Sequence, residues 1–498
     1  MSNPSKLIFE RLPLRHLGRN ERWFVLIAAL HFIFWTAAPS LGFSTPPLDV
    51  IENRFWGNEW LIGTYKHPPL QAWATQISWQ FGGVSAIYAM SQICVITTAA
   101  ALFLLGRNIS NPQTGLLAAV IYFFSYYATI PTPELNANIV SAPFWAFSGY
   151  FLWRLITHGG TAGLGIWLGL ALSVALAFYA KYSVLFLVIG LTLATLTQPK
   201  GRALFKSFKI YATAILIIAL CVPNIIWLLI NDFQPLYYAA SRARPLLGLS
   251  HLISPLNFLI NIGLAFFLPI SLLLLAGAKF TNHNIDQHKS RFVNCLAFIP
   301  ILAMIFMSVV SGTGLKSMWG ASAAVWVPLF IAFHSASIWQ MPHLSRALPA
   351  AAFVFFLMPV AVGGYSIYSA GTAWPQRTAW PGARITSTVL NSWKTHRDDV
   401  PKIIIGSTFE AGLIAHFLPH NASVLTDGSF AKSPWVTPKM INDNGALLVW
   451  TSADGLHSFP YNVASIEMTP FEAEGTIPIL HKGKSMFFHW AILAPKRK

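Results

Sequence analysis

The sequence predicts a polytopic α-helical membrane protein that ends in a small α/β soluble domain. Of the 498 residues, 55% are hydrophobic and only 10% are charged, whereas a typical soluble domain has about 25% charged residues. The apolar residues come in stretches of about 20, the length that a helix needs to cross a bilayer. Residues 370–498 instead alternate short strand-like and helical patterns. A soluble enzyme, a disordered chain and a disulfide scaffold are therefore excluded.

Apolar windows predict eleven membrane-spanning helices, all within residues 1–369. They lie at 23–43, 84–106, 111–130, 138–157, 162–180, 182–197, 210–230, 256–277, 292–311, 321–339 and 347–369. We expect no cleavable signal peptide, because the first apolar stretch is too long for an h-region and ends without a small-residue cleavage site. The spans 162–180 and 182–197 are separated by Lys181 alone. Merging them would leave ten spans and return the C-terminal segment to the cytoplasm.

The positive-inside rule orients these spans. Of the 21 Lys and Arg residues in 1–370, fifteen fall on the side of the N-terminus if eleven spans are kept, and six fall on the other side. This asymmetry predicts a cytoplasmic N-terminus. An odd number of spans then places residues 370–498 outside the cytoplasmic membrane, so the chain divides into a transmembrane domain, 1–369, and an extracytoplasmic domain, 370–498.

The C-terminal segment is predicted to be a small α/β unit. It contains nine of the 17 acidic residues. Strand-like runs occur at 402–406, 422–427, 446–452, 462–469 and 487–494, and a helical pattern occurs at 408–418. No dinucleotide-binding glycine motif is present.

The acidic residues of the membrane portion point to a site on the outer side. Five of its eight acids are expected there, namely Asp49, Glu52, Glu59, Glu134 and Asp232. Acids at a membrane surface are costly unless they are paired or hydrated. Their clustering predicts a polar cavity just above the bilayer, with Asp49, Glu52 and Glu134 as candidate catalytic carboxylates.

The first outer loop, about 44–83, also contains an amphipathic helix. Leu70, Trp73, Ala74, Ile77 and Phe81 recur at helical spacing after two prolines. Proline suits the first turn of a helix, and a short one-sided apolar stripe suits a helix that lies along the interface.

Outer cations supply candidate ligands for an anionic group. They are Lys66, His67, Lys181, Arg242, Arg244 and Lys316. Guanidinium and ammonium groups bind phosphate oxygens, although contact with lipid headgroups is the alternative reading. Four further polar residues are candidates for substrate contact: Asn136, Asn138, Tyr237 and Tyr238. For the two asparagines the alternative is a helix cap.

The sequence contains no recognisable metal or nucleotide motif. The histidines show no H-E-x-x-H spacing and the cysteines no C-x-x-C. We therefore predict no zinc site and no organic cofactor, and leave open a divalent cation that assists phosphate departure. The net charge of +16 follows from the cytoplasmic loops, so no nucleic-acid partner is expected.

Several segments, in this order along the chain, resemble the polyprenyl-phosphate-sugar-dependent glycosyltransferases of the GT-C fold. They are LDVIENRFWGNEWLIGTYKHPPLQAW, TPELNANIVSAPFWA, AKYS, PNIIWLLINDFQPLYYAASRAR and KSMWG. The resemblance covers nearly the whole chain. Within that superfamily, which includes protein O-mannosyltransferases and the lipid A aminoarabinose transferase, it is strongest to bacterial lipopolysaccharide galacturonosyltransferases.

The resemblance implies roles for individual residues. It makes Asp49 the counterpart of the first-loop catalytic aspartate and Lys66 the lysine that meets the lipid phosphate. In the aminoarabinose transferases a second acid follows the first directly, whereas here Val50 follows Asp49 and the next acid is Glu52. Either Asp49 or Glu52 can therefore be the base.

The expected function is sugar transfer, with inversion, from a polyprenyl phosphate to a hydroxyl or phosphate of an extracytoplasmic acceptor, such as lipid A or another envelope glycolipid. One catalytic base predicts inversion, unlike the retaining arrangement of two carboxylates. The expected location is a bacterial inner membrane, among membrane lipids, with the active site facing the periplasm. A secondary transporter of an anionic lipid or solute is the alternative, but the internal repeats typical of transporters are missing from 1–370.

Overall fold

The chain begins with a bundle of α-helices. The structure is a computed structural model that describes residues 17–496 except for 243–247, 249, 281–285, 373–374, 453–457, 465, 467–469 and 482–483. The described helices of the bundle are α1 (Arg19–Gly42), α2 (Leu48–Asn58), α3 (Leu70–Ile109), α4 (Pro112–Phe123), α5 (Ala137–His158), α6 (Leu164–Ala180), α7 (Val184–Leu196), α8 (Pro199–Leu204), α9 (Phe208–Ile230), α10 (Gln234–Arg242), α11 (Ser250–Ala265), α12 (Phe267–Leu275), α13 (Gln287–Ser311), α14 (Gly320–Ala323), α15 (Val327–Phe333) and α16 (Leu344–Ser369).

Six of the described helices, α1, α3, α5, α9, α13 and α16, are long and apolar enough to cross a membrane. The pair α11 and α12, bent by 47°, would make a seventh, and α4, α6 and α7 are shorter apolar helices. The fold class is that predicted, but the count of eleven spans is not confirmed. The stretch predicted at 321–339 divides into α14 and α15, and Pro328 lies in the first turn of α15. Hydropathy averages over such breaks, so it counts one span where the backbone forms short pieces.

The predicted interfacial helix is the first part of α3. It is separated from the following span by a break at Gly82 and Gly83, and Gly83 has a φ of +61°, which disfavours a side chain. Gln71 and Thr75 are buried, whereas Ile77 and Phe81 are 40% and 86% exposed. Polar residues thus face the protein and apolar ones face outward, as suits a helix in contact with lipid; its alignment along a membrane surface stays a prediction.

The described part of the C-terminal segment contains a five-stranded sheet flanked by three helices. Its elements are α17 (Gly382–His396), β1 (Ile403–Gly406), α18 (Thr408–Phe417), β2 (Ser423–Thr426), α19 (Pro438–Asn444), β3 (Ala446–Ser452), β4 (Ala473–His481) and β5 (Lys484–Leu493). The strand order is β2-β1-β3-β5-β4. β1 pairs in parallel with β2 and β3, while β5 pairs in antiparallel with β3 and β4. This small α/β sheet is the one predicted.

The prediction of a strand at 462–469 is wrong, because the described residues of this range are not in a strand. The fourth strand lies instead at Ala473–His481. β4 is an edge strand in which Glu474, Thr476 and Pro478 are exposed. Proline and polar residues are typical of edge strands. Such a strand has no continuous apolar run, and a search for apolar runs therefore misses it.

The C-terminal domain packs on α2. Ile51, Phe55 and Trp56 of α2 share one hydrophobic core with Phe409 and Leu413 of α18. The link between α1 and α2 is also attached to this domain, because the backbone N–H of Ser44 donates to the carbonyl of Thr378 at 2.8 Å and the Thr45 hydroxyl donates to the carbonyl of Trp380 at 2.7 Å.

This contact bears on the topology. α2 follows the first span directly, so the C-terminal domain lies on the same side of the bundle as the first loop. The ten-span alternative, which would place the two on opposite sides, conflicts with this packing. α6 and α7 are two separate helices, with Lys181 between them.

Candidate active site

The acids of the first loop lie on a helix rather than in an irregular loop. Asp49 and Glu52 are three residues apart on α2, and this spacing places both on one face of the helix. The carboxylate of Glu52 is 3% exposed, whereas Asp49 is half-buried. Among the described residues, no cation lies within 4 Å of the Asp49 carboxylate. The two candidate bases therefore have different environments.

Glu52 is engaged with Lys66. Their side chains form an ion pair with 2.6 Å between Nζ and Oε2. The ammonium also lies 6.0 Å from the ring centre of Trp56 and 5.8 Å from that of Tyr238. Burial opposes the charge on Lys66, but the carboxylates of Glu52 and Asp49 outweigh it and raise the pKa of Lys66. Lys66 is thus a firmly charged cation held by Glu52.

Burial disfavours the charged form of Glu52. It raises the pKa of Glu52 to about 7, although the ammonium of Lys66 opposes this shift. The carboxylate of Glu52 is also buried and paired with Lys66, which leaves it less accessible to a substrate hydroxyl than the half-buried carboxylate of Asp49. Accessibility therefore separates the two acids that the sequence left open as the base.

Glu134 joins the site from the turn that precedes α5. Its carboxylate accepts a hydrogen bond of 3.1 Å from the backbone N–H of Asp49, in the first turn of α2, where a carboxylate satisfies free backbone donors. The turn is attached to α2 a second time, by the Asn53 side-chain amide that donates to the carbonyl of Leu135 at 3.3 Å. Burial and the neighbouring Asp49 carboxylate raise the pKa of Glu134. Glu134 therefore fixes the helix end that carries Asp49.

The two asparagines after Glu134 have different partners. Asn136 accepts hydrogen bonds from the backbone N–H groups of Asn138 and Ile139 and so caps α5, which is the alternative that the sequence suggested. The side-chain oxygen of Asn138 instead accepts from Lys181 Nζ at 2.5 Å. Lys181 thus lies beside the Glu134 turn, and the charges of Lys181 and Lys66 both act on His67.

His67 is not a second cation. Burial lowers its pKa well below the ordinary value, and the charges of Lys66 and Lys181 lower it further. The imidazole is therefore neutral at physiological pH. Its predicted contact with a donor phosphate, if made, is that of a neutral hydrogen-bonding group.

Helix α10 lies beside the Glu52–Lys66 ion pair. The ring of Tyr238 lies 5.6 Å from that of Tyr65 and 6.5 Å from that of His67. Arg242 is exposed and lies four residues later on α10, on the same face of this helix as Tyr238. Tyr237 is 71% exposed, which puts it on another face of α10. Arg244 lies outside the described residues.

No described contact places Lys316 in this cluster. It is exposed, directly before a 3₁₀ turn, and the adjacent Leu315 donates its backbone N–H to the Ser254 hydroxyl of α11 at 3.0 Å. Its predicted role in donor binding stays a prediction.

Residues of the C-terminal domain lie beside this cluster, and none of them was predicted from the sequence. Lys432 lies 5.8 Å from the ring centre of Tyr65 and forms an ion pair of 2.6 Å with Asp427. The charge of Asp427 acts on Glu52, and that of Arg377 acts on Glu134. One signal was available, since Asp427-Gly428 is a turn directly after a strand of a parallel sheet, where ligands commonly bind.

The site offers a base and a cation rather than a set of metal ligands. In the described part of the chain, no group of three or more His, Cys, Asp or Glu residues is arranged to hold a metal ion. The half-buried carboxylate of Asp49 lies near the charged ammonium of Lys66. The negative charge of Asp49 helps to raise the pKa of Lys66. This combination can take a proton from a hydroxyl while it stabilises a departing anion.

Comparison with known proteins gives a family match over part of the chain and two curated relatives. Residues 66–227 match the family described as dolichyl-phosphate-mannose-protein mannosyltransferase. The lipid A galacturonosyltransferase RgtD of Rhizobium johnstonii is 29% identical over 217 residues, which span 42% of this chain and 44% of RgtD. The lipopolysaccharide core galacturonosyltransferase RgtB of the same organism is 19% identical over 477 residues, 88% of each chain.

Two solved structures have a similar fold over most of the chain. ArnT from Cupriavidus metallidurans in the apo state has a TM-score of 0.61 at 12% identity, over 87% of this chain and 93% of ArnT. ArnT bound to undecaprenyl phosphate has a TM-score of 0.59 at 12% identity, over 94% of this chain and 98% of ArnT. This similarity confirms the predicted GT-C fold.

Proposed function

We propose that this multi-pass membrane protein, which has the fold of GT-C glycosyltransferases, transfers a sugar from a polyprenyl-phosphate donor to a glycolipid of the cell envelope. The observation that carries the proposal is the proximity of a half-buried carboxylate, Asp49, and a charged ammonium, Lys66, beside the membrane helices. A donor anchored in the bilayer by its prenyl chain presents its phosphate at that level. No nucleic acid takes part.

Lys66 binds the donor phosphate in this proposal. The bond between the anomeric carbon and the phosphate oxygen breaks during transfer, and negative charge grows on the departing phosphate. An ammonium fixed in advance by Glu52 stabilises that charge without having to reorganise. The neutral His67 and the ring of Tyr238 line the same region.

Asp49 is the base. It takes the proton of the acceptor hydroxyl while that oxygen bonds to the anomeric carbon from the face opposite the phosphate. One displacement inverts the anomeric configuration, and no covalent sugar-enzyme intermediate is formed. Glu134 acts through the helix end that it holds and is a positioning residue.

The names of the relatives support a class of sugar and of acceptor. Two curated relatives are galacturonosyltransferases of lipid A and of the lipopolysaccharide core, and a structural neighbour was solved with undecaprenyl phosphate. We therefore propose a hexuronic acid as the sugar and lipid A or lipopolysaccharide core as the acceptor.

The direct test uses purified protein in lipid nanodiscs. It is incubated with polyprenyl-phosphate galacturonate and with lipid A or core oligosaccharide, and the products are identified by mass spectrometry. Addition of one uronic acid residue to the acceptor is the expected result. Absence of any glycosylated product with several prenyl-phosphate sugars and several envelope acceptors would reject the function.

A milder effect is expected at Arg242. Arg242→Ala raises the apparent KM for the donor about three- to tenfold and leaves that for the acceptor unchanged, because an exposed guanidinium adds a screened attraction for the donor phosphate. Donor titrations at two salt concentrations measure this effect. The difference in donor KM between wild type and Arg242→Ala should shrink at high salt. An unchanged donor KM at low salt would assign Arg242 to lipid headgroups instead.

The C-terminal domain is expected on the periplasmic side. Its packing on α2 puts it beside the first loop, and the Lys and Arg distribution predicts that this side is outside. A phosphatase fused after Lys498 should therefore be active in cells, and a cytoplasmic reporter at the same point should be silent. The opposite result would place the active site in the cytoplasm and exclude a periplasmic acceptor.

A further inference from the structure

The C-terminal domain contributes polar residues that the proposed reaction has not used so far. They lie near the carboxyl ends of the parallel strands β1, β2 and β3. In open α/β sheets, ligands bind at this end, at the point where the strand order reverses. The order β2-β1-β3 puts that point between β1 and β3, because the chain leaves β1 for β2 on one side and returns to β3 on the other. This end of the sheet is therefore a ready position for a ligand.

The side chains at these strand ends are polar and of mixed charge. Asp427 follows β2 directly, and its backbone N–H donates to the carbonyl of Gly406, the last residue of β1, at 2.8 Å. Glu410, in the first turn of α18, accepts a hydrogen bond of 2.8 Å from Thr451 of β3. Its second carboxylate oxygen is buried and has no partner among the described residues. Tyr461 is within electrostatic reach of both acids.

Two aromatic rings link this end of the sheet to Lys66. Lys432 lies 5.8 Å from the ring of Tyr65, which lies 5.6 Å from the ring of Tyr238, and Lys66 lies 5.8 Å from Tyr238. Two cations, one from the first loop and one from the C-terminal domain, therefore flank a pair of aromatic rings. The charge of Asp427 also reaches Glu52. Residues of the C-terminal domain and of the first loop therefore lie close together here.

The two cations differ in how they are held. Lys66 is largely buried with a carboxylate that is itself 3% exposed. Lys432 and Asp427 are 38% and 32% exposed, and an ion pair this exposed contributes little to stability. Lys432 can therefore exchange Asp427 for another carboxylate at small cost, whereas Lys66 keeps its partner.

We propose that Lys432 is the residue that recognises the carboxylate of the donor sugar, with Asp427 holding it in the empty site. The proposal rests on the proposed function, in which the donor is a hexuronic acid on a prenyl phosphate. Such a donor carries two anionic groups, the phosphate on C1 and the carboxylate formed by C6. Lys66 meets the phosphate, and Lys432 meets the carboxylate across the Tyr65–Tyr238 pair. Lys432 thereby selects an acidic sugar over a neutral one.

The test compares two donors that differ only at C6, prenyl-phosphate galacturonate and prenyl-phosphate galactose. Lys432→Met should lower kcat/KM for the galacturonate donor about 10- to 100-fold, the effect of a lost charged hydrogen bond. It should leave the slow transfer from the galactose donor within about threefold. Asp427→Asn, which frees Lys432, should lower KM for the galacturonate donor. Lys439→Met removes another exposed lysine of this domain and serves as the matched control.

Other outcomes would overturn the proposal. If Lys432→Met lowered kcat/KM equally with both donors, Lys432 would be a general structural residue. The unfolding temperature of Lys432→Met would then also be lower than that of Lys439→Met. A raised KM for the acceptor with unchanged donor kinetics would assign the lysine to an acceptor phosphate. Wild-type protein that transfers neither sugar would instead reject the proposed function itself, so the two failures are distinguishable.

Discussion

Replacing Asp49 by Asn should abolish most of the transferase activity while the protein stays folded. A general base contributes about 10²–10⁴-fold to the rate, and the amide cannot accept the proton. The change keeps the size of the side chain, and the hydrogen bond to Glu134 uses the backbone N–H of residue 49, so α2 should remain in place. We expect kcat to fall by about this factor with donor binding unchanged. Steady-state kinetics and donor-binding titrations on purified protein measure both.

Glu52→Gln and Glu134→Gln are the matched controls for that prediction. Each replaces one acid of the same cluster by its amide without removing the proposed base. Glu52→Gln loosens Lys66 and should act mainly on the donor KM, whereas Glu134→Gln still offers an oxygen to the N-terminus of α2. Turnover of Asp49→Asn within about threefold of wild type, or a larger loss of kcat in Glu52→Gln, would transfer the role of base to Glu52.

The sequence could predict those parts of the fold and of the site that depend on local patterns. Apolar stretches predict the helical bundle. Asp49, Glu52 and Lys66 stand out because acids are scarce in the membrane portion and these lie in one loop. The difference between the two acids depends on burial and on the 2.6 Å contact of Glu52 with Lys66, which no spacing rule predicts.

The contribution of the C-terminal domain could not be predicted for a different reason. Its contacts with the first loop join residues far apart in the chain, such as Glu59 and Ser423, which are 364 positions apart and form a hydrogen bond of 2.7 Å. A single sequence carries no signal for such pairs. Lys432 and Asp427 therefore look like surface residues until the domain packs on α2.

Lys66→Met should have the second large effect, and a double variant separates its two causes. Lys66 neutralises a carboxylate that is 3% exposed, and removing one partner of a buried ion pair costs about 3–5 kcal/mol, because Glu52 must then either stay charged without a partner or take up a proton. Lys66→Met alone should thus lower both stability and activity. Because burial already raises the pKa of Glu52 to about 7, loss of the ammonium raises it further, and Glu52 becomes protonated at neutral pH.

The double variant Glu52→Gln with Lys66→Met removes both charges. No buried acid is then left without its partner, so the unfolding temperature should return close to that of wild type. The donor phosphate still lacks its cation, and loss of one preorganised electrostatic contact lowers the rate about 10²–10³-fold. We therefore expect a stable protein whose kcat/KM for the donor stays low, measured beside its thermal unfolding. If the double variant regained activity together with stability, Lys66 would serve only to neutralise Glu52, and the donor phosphate would need another cation.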